Sequence, residues 1–137
     1  MFSLTNKACL ENADRMTGQI LEQAVCYLAL TRKEQMNLRI ICEEILVNIA
    51  RYAYDVPGDM TVVMEYDDRE EELRLCFMDR GIMFNPLERE TPDLTATADE
   101  RPIGGLGIHM VRKLADTVTY EREDGMNKLT VIKRYEK

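Results

Sequence analysis

No apolar run in this sequence approaches the length of about 20 residues that a membrane-spanning helix needs. The N-terminal segment also lacks the basic stretch and following apolar stretch of a secretory signal peptide. Acidic side chains outnumber basic ones by 25 to 18, and the formal net charge of −7 argues against binding to nucleic acid or anionic membranes. We therefore expect a cytoplasmic protein that contacts neither a membrane nor nucleic acid directly.

The four cysteines, which are Cys9, Cys26, Cys42 and Cys76, lack the C-x-x-C spacing of zinc sites and redox motifs. They fall inside helix or strand patterns, so we expect reduced thiols that act as small core residues. Hydrophobic residues make up 45% of the sequence and charged residues 31%, which is typical of a soluble globular protein. A length of 137 residues suits one domain with one core over 1–137.

The apolar pattern predicts the element order β-α-α-β-β-lid-α-β-β. Helices are expected over about 7–30, 31–54 and 104–115, and strands over 2–5, 61–66, 73–78, 117–122 and 128–135. Because no period is visible over 85–103, this segment is predicted to be a lid. The fold class that follows is α+β, a two-layer sandwich with helices on one face of a mostly antiparallel sheet.

The second predicted helix begins at a capping box formed by Thr31 and Glu34, and the polar residues of its mostly apolar second half include Glu44, Asn48 and Arg51. Glu44 and Asn48 share one face because they are four residues apart, and Arg51 follows three residues later. Such groups are costly on a buried helix unless a polar ligand compensates them, and a metal-bound phosphate chain is the favoured candidate. An ordinary polar stripe on a half-exposed helix is the alternative.

These three side chains suit phosphoryl chemistry. Mg²⁺ takes oxygen ligands and shares them with substrate phosphates, so the amide oxygen of Asn48 could hold it. Glu44 could orient and deprotonate an attacking hydroxyl or water, and Arg51 could counter the charge that develops on a phosphate.

A second motif, Asp79-x-Gly81, follows a predicted strand. A carboxylate there can accept a hydrogen bond from a planar amino group such as the exocyclic amine of adenine. Gly81 removes the Cβ that would keep a base away from the backbone. The alternative is that Asp-x-Gly is simply a common turn.

A third motif is the glycine run at Gly104, Gly105 and Gly107, which opens the third predicted helix. Helix N-termini offer unpaired N–H groups and a positive dipole potential, and glycines let a phosphate come close. The run matches neither the Walker A loop nor the Rossmann fingerprint. A flexible joint is the alternative.

The order E-x-x-x-N, D-x-G, lid, G-G-x-G closely resembles the GHKL ATPases, a superfamily that includes gyrase, heat-shock chaperones, histidine kinases and MutL. The resemblance covers about residues 30 to 135. EEILVNIARYAY is similar to the N box of that superfamily, DRGIMFNP to its first glycine box and RPIGGLGIHMVRKLAD to its second. MNKLTVIKR resembles the terminal strand that carries an adenine-side threonine, here Thr130.

The resemblance implies roles for individual residues. Asn48 would hold Mg²⁺, Glu44 would be the general base, and Asp79 would read adenine with Gly81 beside it. The other implied nucleotide-binding residues are Arg51, Tyr52, Arg101, Gly104, Gly105, Leu106, Gly107 and Thr130. ATP and Mg²⁺ are the implied cofactors.

Within the superfamily, the sequence most resembles the anti-sigma serine kinases of the RsbW and SpoIIAB type. Gyrase, chaperone and MutL enzymes need large further domains, which we do not expect here. The only histidine, His109, lies in the second glycine box and its helix, which is the wrong place for the phospho-acceptor of a histidine kinase. The resemblance implies two partners: a sigma factor, and a small STAS-type antagonist that is phosphorylated on serine.

Two functional hypotheses remain open at this point. One is an ATP-dependent protein serine/threonine kinase and anti-sigma regulator; the other is a nucleotide-gated binding module that sequesters a partner without phosphotransfer. Glu44 favours the kinase, because a pure binding switch needs no base. The helix predicted over 7–30 is a candidate contact surface for a homodimer or a partner, unless its apolar face packs only on its own sheet.

Overall fold

In the computed structural model, the described residues are 1–54, 57–88 and 105–135, and for 88 and 105–107 only the backbone is described. The elements in chain order are β1 (Phe2–Lys7), α1 (Leu10–Tyr27), α2 (Arg32–Tyr52), β2 (Asp59–Asp67), β3 (Glu72–Asp79), a 3₁₀ turn (Pro86–Glu88), α3 (Gly105–Leu114), β4 (Thr117–Glu123) and β5 (Met126–Arg134). Each described helix and strand corresponds to a predicted one, with ends that differ by a few residues.

The five strands form one sheet in the order β1-β2-β3-β5-β4, and all four neighbouring pairs are antiparallel. Residues of β2 and β3 alternate between a buried and a more open side, as the period of two in the sequence predicts. The buried side carries Val62, Leu75, Phe77 and Val131, which belong to the same core as the inward residues of the helices. The predicted α+β two-layer fold is therefore confirmed.

The long helix α2 begins where the sequence predicts. The Thr31 hydroxyl accepts a hydrogen bond from the Glu34 backbone N–H at 3.1 Å, and the Thr31 N–H donates to the Glu34 carboxylate at 2.9 Å. This capping box satisfies two backbone groups at the helix start. The helix buries Leu38, Ile41 and Leu46 in the core, and near its C-terminal end Ile45, Asn48, Ile49 and Tyr52 line a pocket.

The apolar stripe of helix α1 is buried in the core of the protein. Ala13, Met16, Ile20 and Ala24 are buried, and the helix packs against α2 and β1. The apolar side chains that α1 leaves exposed are Leu10, Val25 and Tyr27. The wide apolar face read from the sequence is thus the core-facing one, and a homodimer through this helix stays a prediction.

All four cysteines are free thiols, but they do not all lie in the core. Cys42 is buried, and burial raises the pKa of its thiol to about 12. Cys26 is exposed, so the expectation of a core position is wrong there: it lies on the solvent side of α1, beside the exposed Val25 and Tyr27. Among the described residues, no helix is long and apolar enough to cross a membrane.

Candidate functional site

An apolar pocket opens where α2 ends, beside the C-terminal end of β3 and the hairpin of β4 and β5. Its volume of about 50 Å³ exceeds the roughly 10–15 Å³ that one buried water needs. Apolar side chains such as Ile49, Phe77 and Leu129 form most of its walls. Mostly apolar walls with a few fixed polar groups are typical of small-molecule and cofactor sites.

The polar groups that face the pocket include three predicted site residues. Asn48 of α2 and Asp79 of β3 both line it, although 31 positions separate them in the sequence. Tyr52, one turn beyond Asn48, lines it as well. The fold therefore brings the N-box asparagine, its neighbouring tyrosine and the aspartate of the first glycine box to one cavity.

Asp79 is only 6% exposed and its carboxylate is held firmly. Its Oδ1 accepts a hydrogen bond from the Gly81 backbone N–H at 2.9 Å and another from the side chain of Asn127, also at 2.9 Å. No hydrogen bond from a described residue reaches Oδ2. One oxygen of this carboxylate is thus occupied by the protein, and the other makes no hydrogen bond to a described residue.

The packing around Gly81 explains why this position needs a glycine. A Cβ at this position would lie 2.6 Å from the carbonyl carbon and the Cβ of Ala53, and closer still to the carbonyl oxygen. That oxygen accepts a hydrogen bond from the Ile82 N–H at 2.9 Å. The glycine therefore lets the turn after β3 dock on the C-terminal end of α2, whereas the sequence alone suggests close approach of a base.

Tyr54 strengthens the same junction. Its hydroxyl donates to the Asp59 carbonyl oxygen at 2.5 Å and accepts from the Arg80 backbone N–H at 2.7 Å. Burial raises the pKa of this hydroxyl, so it stays protonated and keeps its donor role across the physiological range.

The N-box face of α2 is more open than the pocket floor. Asn48 is half-buried, Glu44 lies one turn earlier, and Arg51 is exposed. None of these three side chains makes a hydrogen bond to another described residue. The pKa of Glu44 is raised, first by burial and then by the charge of Glu43, while Arg51 acts in the opposite direction. A carboxylate with a raised pKa is suited to accept a proton, although Glu44 itself is not among the residues that line the pocket.

The second glycine box is described only in part. Gly105 and Gly107 form the first turn of α3, and Ile108, the next residue, lines the pocket. The start of this helix therefore lies beside the cavity. Gly104 and Arg101, together with most of the predicted lid, lie outside the described residues, and so does the side chain of Leu106.

The beginning of the predicted lid is held by two side chains. The Asn85 carboxamide oxygen accepts from the Leu87 N–H at 2.9 Å, and the Arg112 guanidinium of α3 donates to the Leu87 carbonyl oxygen. Pro86 of the same short turn lines the pocket. The first residues of the predicted lid are thus attached to α3, the helix that follows in the chain.

Thr130 is not brought to the pocket. Along β5, Asn127, Leu129 and Val131 are buried on the helix-covered side, whereas Thr130 has the opposite parity and its hydroxyl donates to the Cys76 sulfur at 3.7 Å. Asn127 stands beside Asp79 instead, as its direct partner across the two strands. The sequence does indicate that Asn127 lies on the core side of its strand, since it is in phase with Leu129 and Val131, but it does not indicate the pairing with Asp79.

Comparisons with known proteins agree with this arrangement. The profile of the family described as "Histidine kinase-like ATPase domain" matches residues 8–133. The serine/threonine-protein kinase BtrW of Bordetella bronchiseptica is 26% identical over 97 residues, which is 71% of this chain and 68% of BtrW. The serine-protein kinase RsbW of Bacillus cereus is 31% identical over 100 residues, and that of Listeria monocytogenes 26% identical over 95 residues. The two alignments cover 68% and 66% of this chain, and the chain spans 60% of the length of each RsbW.

The fold, the pocket and the family match lead to one conclusion: the chain belongs to the histidine kinase-like ATPase domain family. Its recognised relatives are serine-protein kinases named RsbW and BtrW, which confirms the predicted resemblance to the anti-sigma kinase branch of the GHKL superfamily.

Proposed function

We propose that this chain is an ATP- and Mg²⁺-dependent protein serine/threonine kinase that acts as an anti-sigma factor in the cytoplasm. Its substrate is a serine of a small STAS-type antagonist protein, and its other partner is a sigma factor. The observation that carries the proposal is that Asn48 and Asp79 line the same apolar pocket. The names of the relatives support the reaction class.

In this proposal the base of ATP enters the pocket between Phe77, Leu129 and Ile108, where it loses contact with water. The exocyclic amine donates a hydrogen bond to Asp79, since the carboxylate keeps one oxygen without a protein partner. The phosphates then extend toward Asn48 and the first turn of α3, whose backbone N–H groups favour an anion.

The residues present fit a magnesium ion. Asn48 is half-buried, lines the pocket and has no hydrogen-bond partner among the described residues, so its amide oxygen is available as a ligand. The ion would neutralise phosphate charge once bound together with the nucleotide. Arg51 adds an exposed cation on the neighbouring turn of α2.

Glu44 carries out the proton transfer. Its carboxylate accepts the proton of the partner's serine hydroxyl as the hydroxyl oxygen attacks the γ-phosphorus. The bond between that phosphorus and the oxygen that bridges it to the β-phosphate breaks, and the electron pair leaves with ADP. A raised pKa suits this role, because it brings the basicity of the carboxylate closer to the operating pH.

The first test is a calorimetric titration of ATP, with and without Mg²⁺, on wild type and on Asn48→Ala. We expect Mg²⁺-dependent binding in wild type and a loss of at least about 10-fold in affinity in the variant, because the variant lacks the ligand oxygen. Asn37→Ala is the matched control. It removes the same carboxamide from α2 at a position about 16 Å closer to the N-terminal end of the helix, outside the pocket.

Equal ATP affinity in Asn48→Ala and wild type would overturn the assignment of the site. A wild-type protein that binds no ATP would overturn the function itself.

A further inference from the structure

Asn127 is a buried polar residue to which the resemblance assigns no role. It is 7% exposed, it begins β5 beside Met126, and it pairs directly with Asp79 across the sheet. A buried carboxamide is costly unless each of its groups is satisfied, so the partners of Asn127 show what it is held to do.

Every polar group of the Asn127 side chain is used. The amide nitrogen donates to Asp79 Oδ1 at 2.9 Å and to the Ile82 carbonyl oxygen at 2.8 Å. The amide oxygen accepts from the Tyr120 hydroxyl at 2.5 Å and from the Phe84 N–H at 3.4 Å. The reversed orientation would set the amide oxygen against two acceptors, so the network determines which way the carboxamide points.

This arrangement determines how Asp79 meets a ligand. Asn127 and the Gly81 N–H together occupy Oδ1, which leaves Oδ2 as the acceptor for a ligand in the pocket. An acceptor at this position suits the amino group of adenine and opposes the carbonyl oxygen that guanine carries at the same ring position. Without Asn127, the carboxylate would lose one of the two donors that hold its orientation, and only the Gly81 N–H would remain.

We propose that Asn127, oriented by Tyr120, is a positioning residue that sets the base selectivity of the pocket by aiming the Asp79 carboxylate. The inference rests on the proposed function, since it takes an adenine nucleotide as the ligand. It assigns the adenine-side role on this strand to Asn127, whereas the resemblance gives that role to Thr130.

The surrounding contacts make the role separable from folding. The Arg122 guanidinium donates to the Gly81 carbonyl oxygen at 2.9 Å, and Arg80 donates to the Asp124 carbonyl oxygen at 3.4 Å. Both bonds tie the β4–β5 hairpin to the turn after β3 without using Asn127. A variant at Asn127 therefore keeps the hairpin attached while the Asp79 carboxylate loses its side-chain partner.

The test measures the affinities of Mg²⁺-ATP and Mg²⁺-GTP by calorimetry for wild type, Asn127→Ala and Tyr120→Phe. In Asn127→Ala we expect ATP affinity to fall by about 10-fold with little change for GTP, so that the ATP-to-GTP preference collapses. Tyr120→Phe keeps the ring and removes only the hydroxyl, so we expect the same direction with about a 3-fold loss. Thr119→Ala, on the exposed side of β4, is the control and should leave the ratio unchanged.

Several outcomes overturn the proposal. One is that Asn127→Ala lowers the affinities for ATP and GTP by the same factor, so that their ratio is unchanged. That result is expected if Asn127 has only a structural role. Another is a collapse of the ratio in Thr130→Ala but not in Asn127→Ala. If Asn127→Ala does not fold in a thermal melt, an unchanged ratio in Tyr120→Phe has the same force. Wild type that binds ATP and GTP equally removes the selectivity to be explained, whereas wild type that binds neither overturns the proposed function as well.

Discussion

In the proposed function the nucleotide site has two parts that are built differently, a base end around Asp79 and a phosphate end around Asn48 and Glu44. At the base end, Asp79, Asn127 and Tyr120 form a continuous hydrogen-bond network, and the first two are nearly inaccessible to water. At the phosphate end, Glu44 and Asn48 project from one face of α2, half-buried and without hydrogen bonds to other described residues. The base end is therefore organised before a ligand arrives, while the polar groups of the phosphate end keep their bonding capacity for one.

The difference follows from the charge of the ligand. A neutral base offers only a few directional hydrogen bonds, so a pocket gains selectivity by holding its acceptor in one orientation. A phosphate chain brings several charges of its own, and side chains that stay hydrated until it binds avoid the cost of burial. We therefore expect substitutions at the phosphate end to affect ligand chemistry more than stability, and substitutions at the base end to affect the pre-formed structure.

The largest effect is expected at the phosphate end. Glu44→Ala should leave ATP affinity within about 3-fold of wild type and reduce phosphoryl transfer by about 10²- to 10⁴-fold, because it removes only the base. Calorimetry gives the affinity, and transfer of labelled phosphate from ATP to a STAS-domain protein of the same organism gives the rate. Glu43→Ala, the neighbouring half-buried carboxylate, is the matched control and should retain transfer.

Undiminished transfer in Glu44→Ala would exclude this residue as the base. Tight ATP binding by wild type with no transfer at all would favour the alternative function, a nucleotide-gated module that binds partners.

An intermediate effect is expected where the base end meets α2. Gly81→Ala should lower the free energy of unfolding by about 1–3 kcal/mol, because the added methyl group overlaps the backbone of Ala53.

Gly18→Ala is the opposite case. No atom lies within 4 Å of a Cβ at this mid-helix glycine, so the change should raise that free energy by about 0.5–1 kcal/mol. Urea unfolding measures both, and a Gly81→Ala variant as stable as wild type would contradict the close docking.

The smallest effect concerns pH. The pKa of Glu44 lies above its ordinary value of 4.5, and transfer needs the deprotonated carboxylate, so activity should fall as pH drops through that raised pKa. Arg51 lowers the pKa, and its removal in Arg51→Ala should move the acid limb to higher pH. The shift should be small, because Arg51 is exposed and water screens its charge. A pH profile of the transfer rate measures the limb, and a limb that moves to lower pH would contradict this account.

Much of the fold could be predicted from the sequence because its signals are local. The capping box at Thr31 and Glu34, the apolar period of α2 and the alternation along β3 each act within one element. The shared face of Glu44 and Asn48 could be predicted for the same reason, since residues four apart on a helix are neighbours. The family resemblance then supplied the order in which such elements assemble.

Other features could not be predicted, because they depend on contacts between distant segments. The core-facing direction of the apolar stripe of α1 depends on which helix and strand it packs against. The exposure of Cys26 follows from the same packing. The helical period identified α1 correctly but could not tell a core face from a contact surface.

The sequence by itself determined the elements of this protein, the helix that carries Glu44 and Asn48, and the family to which the chain belongs. Only the tertiary structure decided that Gly81 docks on Ala53 and that Asn127, in place of Thr130, stands against Asp79. The physical reason is that strand register and side-chain hydrogen bonds join residues 48 positions apart, and a local pattern carries no information on that pairing.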